Sequence, residues 1–128
     1  MRTTIRKDRP KYLDLLRIKL PISGIVSIGH RASGVFLVLS IPVWLYLLET
    51  SLTSEQDFED VLKMVDGLPF TLLAIVAFWT IVHHFFAGIR FLLLDMDLAI
   101  EKEPAKRTAK AVFVLEAIVM VFVIWWLL

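Results

Sequence analysis

The chain contains no cysteine. That excludes disulfides, cysteine-ligated iron–sulfur clusters and thioether-attached haem within this chain. Its 5 glycines form neither a dinucleotide fingerprint nor a phosphate loop. An excess of one charge is also missing. Against 14 Lys and Arg stand 13 Asp and Glu, a net charge of +1, so no global field points to nucleic acid. The N-terminus does not read as a signal peptide, because about twenty mostly polar residues precede the first apolar run and no small-residue cleavage site follows it.

Apolar sequence is what the chain has in excess. Hydrophobic residues make up 58% of its 128 residues, and the mean hydropathy is +0.74. Three runs account for this: Ile25–Leu48, Leu68–Leu94 and Ala111–Leu128. Each approaches or exceeds the ~20 residues that cross ~30 Å of hydrocarbon as a helix. The expected fold is an all-α membrane protein of three transmembrane helices, one domain over residues 1–128, with residues 1–24 as a cytoplasmic N-terminal segment. Three helices enclose little interior, so much of their polar cargo is expected to face another subunit.

Charge predicts the topology. Seven Lys or Arg precede Ile25 (Arg2, Arg6, Lys7, Arg9, Lys11, Arg17, Lys19), against Asp8 and Asp14. The loop after the first run is acidic: Glu49, Glu55, Asp57, Glu59, Asp60 and Asp66, opposed by Lys63. The loop before the third run carries Lys102, Lys106, Arg107 and Lys110. The positive-inside rule then places the N-terminus and the second loop in the cytoplasm and the C-terminus outside. Trp44, Tyr46, Trp125 and Trp126 fall at the ends assigned to the outer interface. Leu13–Pro21 reads as a short basic amphipathic segment along the inner surface or a peripheral partner. Pro42 sits inside the first span, Gly67-Leu68-Pro69 fits the start of the second, and Thr50–Glu59 reads as a short external amphipathic loop.

Two polar clusters lie within the spans, where an ionisable group costs at least a few kcal/mol and persists only if something satisfies it. Ser27 and Arg31 are four apart and share a helix face, with His30 on its flank. An arginine there stays charged. With a hydroxyl one turn away it can hold and polarise a quinone carbonyl, or pair with a carboxylate such as a haem propionate. The plainer alternative is an arginine snorkelling to lipid phosphate and a serine bonded to its own helix.

In the second span His84 lies about ten residues from Leu94, ~15 Å deep. Neutral imidazole is a good axial ligand for haem iron. Ala87 and Gly88 beside it leave room for a flat macrocycle or a close helix. Arg90, nearer the cytoplasm, is in reach of a propionate or the headgroups. His83 is about 100° round the helix, so the two histidines cannot be same-face ligands. Residue types and spacing do not choose between them, and either can instead hydrogen-bond a neighbouring helix. Asp95 and Asp97 read as interfacial. Glu116, one and a half turns into the third run, has no evident partner.

Two longer motifs carry a resemblance. One is Ser27-Ile28-Gly29-His30-Arg31-Ala32-Ser33-Gly34; the other is His84-x-x-x-Gly88-x-Arg90 followed by Asp95. With Arg9-Pro10, Leu13-Asp14-Leu15, Pro21-Ile22 and a third span, the chain resembles the cytochrome b556 membrane-anchor subunits of bacterial succinate dehydrogenase, complex II. The resemblance implies a multi-pass protein of the bacterial inner membrane, with the C-terminus periplasmic. It implies partnership with a second membrane-anchor subunit, an iron–sulfur subunit and a flavoprotein subunit. The complex would pass electrons from succinate to ubiquinone, in the tricarboxylic acid cycle and the respiratory chain. The dicarboxylate chemistry would reside in partners and no catalytic residue in this chain. By the same resemblance His84 is the haem b iron ligand, its opposite number coming from the second anchor. His30 and Arg31 lie near the haem propionates, and Ser27 and Arg31 at the ubiquinone site. One departure stands out: the family often has His after the span-two arginine, and this chain has Phe91. The alternatives are the anchor of a fumarate reductase or other haem-b quinone oxidoreductase, and a small non-redox anion transporter.

Overall fold

The structure is a computed structural model that describes residues 19–127. Four helices follow in order: α1 (Ile22–Ser51), α2 (Glu55–Val65), α3 (Leu68–Asp95) and α4 (Lys102–Leu127), with no strand among the described residues. Three are long and apolar enough to cross a membrane: Ile22–Ser51, Leu68–Asp95 and Lys102–Trp126. The chain is thus an all-helical protein with three candidate spans. The amphipathic reading of residues 13–18 lies outside the described residues.

Local chemistry sets the helix ends. Pro21, held extended at φ −65° and ψ 154°, caps α1, and its carbonyl receives the N–H groups of Gly24 and Ile25. α1 therefore starts three residues before the apolar run and continues through Pro42. The expected external loop is instead the end of α1 followed by a short helix. Ser54 caps α2 by accepting the Asp57 N–H at 3.1 Å, with Glu55 and Asp57 in the first turn, where carboxylates suit the helix dipole. Gly67 caps α3, with proline in its first turn.

α3 ends in a Schellman turn. Asp97 N–H bonds to the Leu94 carbonyl and Leu98 N–H to that of Leu93, with Asp97 left-handed at φ 58°. α4 begins at Lys102, nine residues ahead of the expected Ala111, because the basic stretch is itself helical. Hydropathy marks where a helix enters lipid, and backbone hydrogen bonding carries it further.

α1 packs against α3, and α4 against α3 and the start of α1. The end carrying Asp95 and Lys102 is the basic end; the end carrying α2 is the acidic end. The core, Val26, Ala87, Ala109 and Val112 with Ile22, Phe86 and Phe113, sits towards the basic end, where two alanines let the helices approach closely. Towards the acidic end α1 and α3 flank a half-open apolar cleft of about 270 Å³, lined by residues such as Phe36, Leu39, Trp44, Phe70 and Leu73. Only 11%, 28% and 22% of the apolar windows of the three spans are buried inside the bundle. Most of each helix surface is left to other apolar surroundings.

Candidate functional site

His84 is half-buried on α3, against the flank of α1. Its Nδ1 lies 3.0 Å from Ser33 Oγ and 3.2 Å from the His30 carbonyl oxygen. The Ser33 hydroxyl donates its only proton to that same carbonyl, at 2.8 Å. Both oxygens facing Nδ1 are therefore acceptors, and the network assigns the proton to Nδ1. The lone pair then belongs to Nε2, which makes no hydrogen bond to the described residues. This is the tautomer that ligates a metal through Nε2.

Small residues surround that ring. A Cβ on Gly34 would stand 3.1 Å from His84 Cε1, tighter than an ordinary contact. The His30 ring stacks on His84, with centroids 4.1 Å apart and planes 14° apart, and Phe91 closes the group at 5.1 Å from His30. Gly88 makes room for His30, whose Nε2 would lie 3.5 Å from a Cβ there. Ala87, by contrast, is fully buried in the helix–helix core. Of the two small residues beside His84, one serves the histidine cluster and the other helix packing.

Ser27, His30, Arg31 and Gly34 follow one another along one flank of α1 at helical spacing. His30 turns to His84, Ser27 is half-buried and Arg31 is exposed. Ser33, Ser40 and Ser51 each donate to the carbonyl three residues back. Ser27 makes no such bond among the described residues.

His83 points the other way, into the bundle. It is 2% exposed, and its Nδ1 faces Glu116 Oε2 on α4 at 3.0 Å. That contact supplies the partner Glu116 lacked in the sequence. Arg90 is also buried and shares the inward side of α3; it donates to the Ala105 carbonyl of α4 at 3.4 Å and leaves its Nε unpartnered. Its hydrogen bond thus runs to α4, while its guanidinium carbon lies 5.6 Å from the centroid of the Phe91 ring. Residue-type reasoning passed over Ser33, Gly34 and Gly29. Their only signal was membership in the Ser27–Gly34 motif, since a serine or glycine in an apolar helix is individually unremarkable.

Three apolar helices that gather histidines and an arginine along one flank define a small multi-pass membrane protein with a polar site inside its spans. The chain belongs to the succinate dehydrogenase/fumarate reductase transmembrane subunit family, whose model matches residues 5–124. It is similar to the succinate dehydrogenase cytochrome b556 subunit of Coxiella burnetii, 32% identical over 120 residues, covering 93% of this chain and 96% of the relative. It is also similar to the subunit of the same name from Paracoccus denitrificans, 28% identical over 106 residues, covering 83% and 82%. The resemblance read from the two motifs is therefore borne out. The chain is a membrane-anchor subunit of a succinate dehydrogenase-type complex and, in bacteria, a protein of the inner membrane.

Proposed function

We propose that this chain is the haem- and quinone-binding anchor of a succinate:quinone oxidoreductase, one domain that seats the iron–sulfur and flavoprotein subunits and pairs with a second anchor subunit. Both named relatives are succinate dehydrogenase subunits, which favours succinate oxidation over fumarate reduction. Basic residues before α1 and in the first turns of α4, against acidic α2, support a cytoplasmic N-terminus and a periplasmic C-terminus.

The observation that carries the reading is the His84 network. The relatives' name, cytochrome b556, implies haem b, and these residues fit it. Nδ1 is committed as donor, Nε2 carries the lone pair, and Gly34 leaves the ring edge uncrowded. His84 would hold the haem iron from this chain, and a residue of the second anchor would hold it from the other. His30 and Arg31, on the adjoining flank, would face the propionates. Bound there, haem b supplies a one-electron carrier. Ser33 and the His30 carbonyl keep the imidazole in one tautomer and orientation, which raises its basicity as a ligand.

Ubiquinone is assigned to Ser27 and Arg31, one turn apart on the basic-end half of α1. Reducing a quinone takes two electrons and two protons. A site close to the cytoplasmic surface gives access to the iron–sulfur subunit and to water. The Arg31 guanidinium stabilises negative charge developing on a carbonyl oxygen, a large effect where the surroundings are of low dielectric. The Ser27 hydroxyl donates to the same oxygen or positions a proton.

Purification of the tagged chain from gently solubilised membranes tests the reading. It should bring down a flavoprotein, an iron–sulfur protein and a second small membrane subunit, with succinate:ubiquinone reductase activity. A chain recovered alone, free of haem, contradicts it.

A further inference from the structure

His83 and Glu116 form a buried polar pair for which the electron-transfer reading has no use. Both are almost wholly enclosed, on α3 and α4. α1 completes the enclosure at Gly29. A Cβ there would stand 2.5 Å from His83 Nε2, closer than real Cβ contacts come, and 3.1 Å from Cε1, a tight contact. The Trp79 and Phe113 rings flank the imidazole, with centroids at 5.5 and 6.0 Å. His83 Nε2 is buried against this wall and has no hydrogen-bond partner among the described residues.

The pair resolves an ambiguity that hydrophobicity leaves open. α3 is apolar nearly all round, and in lipid an apolar face gains little by turning inward, so packing shape and interhelical hydrogen bonds set a helix's rotation. His83 and His84 are adjacent, about 100° apart. A rotation of α3 by one residue would exchange them. The inward position is specific to His83: it offers Glu116 as partner for Nδ1 and a glycine slot for Nε2. Two turns on, Arg90 enters the same interior.

We infer that the His83–Glu116 pair, seated on Gly29, is a three-helix lock that fixes the rotation of α3 and so presents His84 to the flank of α1. His83, Glu116 and Gly29 are positioning residues; the inference rests on His84 being the haem ligand. Buried polar groups fix helix register in some other proteins, and fixing a helix's rotation is the same kind of role.

The test uses the complex assembled in membranes and reads the low-spin haem signal by electron paramagnetic resonance, with haem content per complex. Glu116→Leu and Gly29→Ala should each shift the signal and weaken haem retention by roughly 10-fold, the scale of lost support behind a metal ligand. Glu116→Gln keeps a hydrogen-bonding partner for His83 and should restore the native signal, which a need for a carboxylate charge would not allow. Should a single variant fail to assemble, the double variant His83→Leu with Glu116→Leu, which strands no polar group, carries the test and should also show a shifted signal. Native signals in assembled Gly29→Ala and in the double variant would overturn the lock. An unchanged signal in His84→Leu is a different result, and would count against the ligand assignment itself.

Discussion

The Nδ1 of His84 and the backbone carbonyl oxygen of His30 lie 3.2 Å apart, and that contact decides which nitrogen of His84 is available. A carbonyl only accepts. The neighbouring serine has spent its proton on the same oxygen. The imidazole is thereby held with a proton on Nδ1, and its Nε2 makes no hydrogen bond to the described residues.

Removing the serine should loosen this arrangement without abolishing it. Ser33→Ala keeps the His30 carbonyl as acceptor but deletes the 3.0 Å contact. Haem should dissociate more readily, by roughly 10-fold, as for other losses of a ligand's hydrogen-bond partner. Timed haem loss from purified complex to an excess of apomyoglobin measures it, and native retention would mean that Ser33 does not orient the ring.

Gly34 should be sensitive where Gly24 is not. An alanine at 34 brings its Cβ to 3.1 Å from His84 Cε1, so the ring must give by a few tenths of an ångström. An alanine at 24 meets Pro21 Cδ at 3.5 Å, an ordinary contact. Haem content should fall in Gly34→Ala and stay native in Gly24→Ala, read from the pyridine haemochrome spectrum. Equal effects would mean that helix packing, not the imidazole, explains the glycine.

The quinone assignment separates two activities. Arg31→Ala should slow ubiquinone reduction by about 100-fold, the scale of losing one fixed group at a developing oxyanion. Ser27→Ala should slow it less. Succinate oxidation with a soluble dye that takes electrons upstream should remain native in both. Native quinone reduction and inhibitor sensitivity in Arg31→Ala would reassign that residue to lipid or propionate contact.

Topology can be tested cleanly because the chain has no cysteine. Single cysteines at the exposed positions Glu59 and Glu101 lie at the acidic and basic ends. A membrane-impermeant maleimide added from the periplasm should label Glu59→Cys and leave Glu101→Cys protected. The reverse pattern would invert the membrane orientation.

The sequence made some of these features legible and hid others. The spans were readable because crossing hydrocarbon demands long apolar runs, and Gly67-Leu68-Pro69 announced the start of α3. The first turns of α4 were not, because Lys102–Lys110 is helical yet polar, and hydropathy reports solvent rather than backbone bonding. α2 passed for a loop because its helicity rests on a serine cap and on carboxylates near the dipole. His30, Arg31 and His84 stood out by their cost in lipid. Cost in lipid alone did not divide the labour between His83 and His84, which are equally anomalous; the family motif pointed to His84, and the contact of His83 with Glu116, thirty-three residues on, shows where His83 turns. Ser33 and Gly34 matter through contact across helices, which no spacing along one helix reveals.

The central claim is that this chain carries a haem iron ligand at His84, and the reduced-minus-oxidised optical spectrum of purified complex tests it most directly. The wild-type complex should show a b-type haem. His84→Leu should lose or visibly shift that spectrum, while the assembled subunits still oxidise succinate with a soluble dye. A b-type spectrum unchanged in His84→Leu, or the absence of haem from the wild-type complex, would contradict the account.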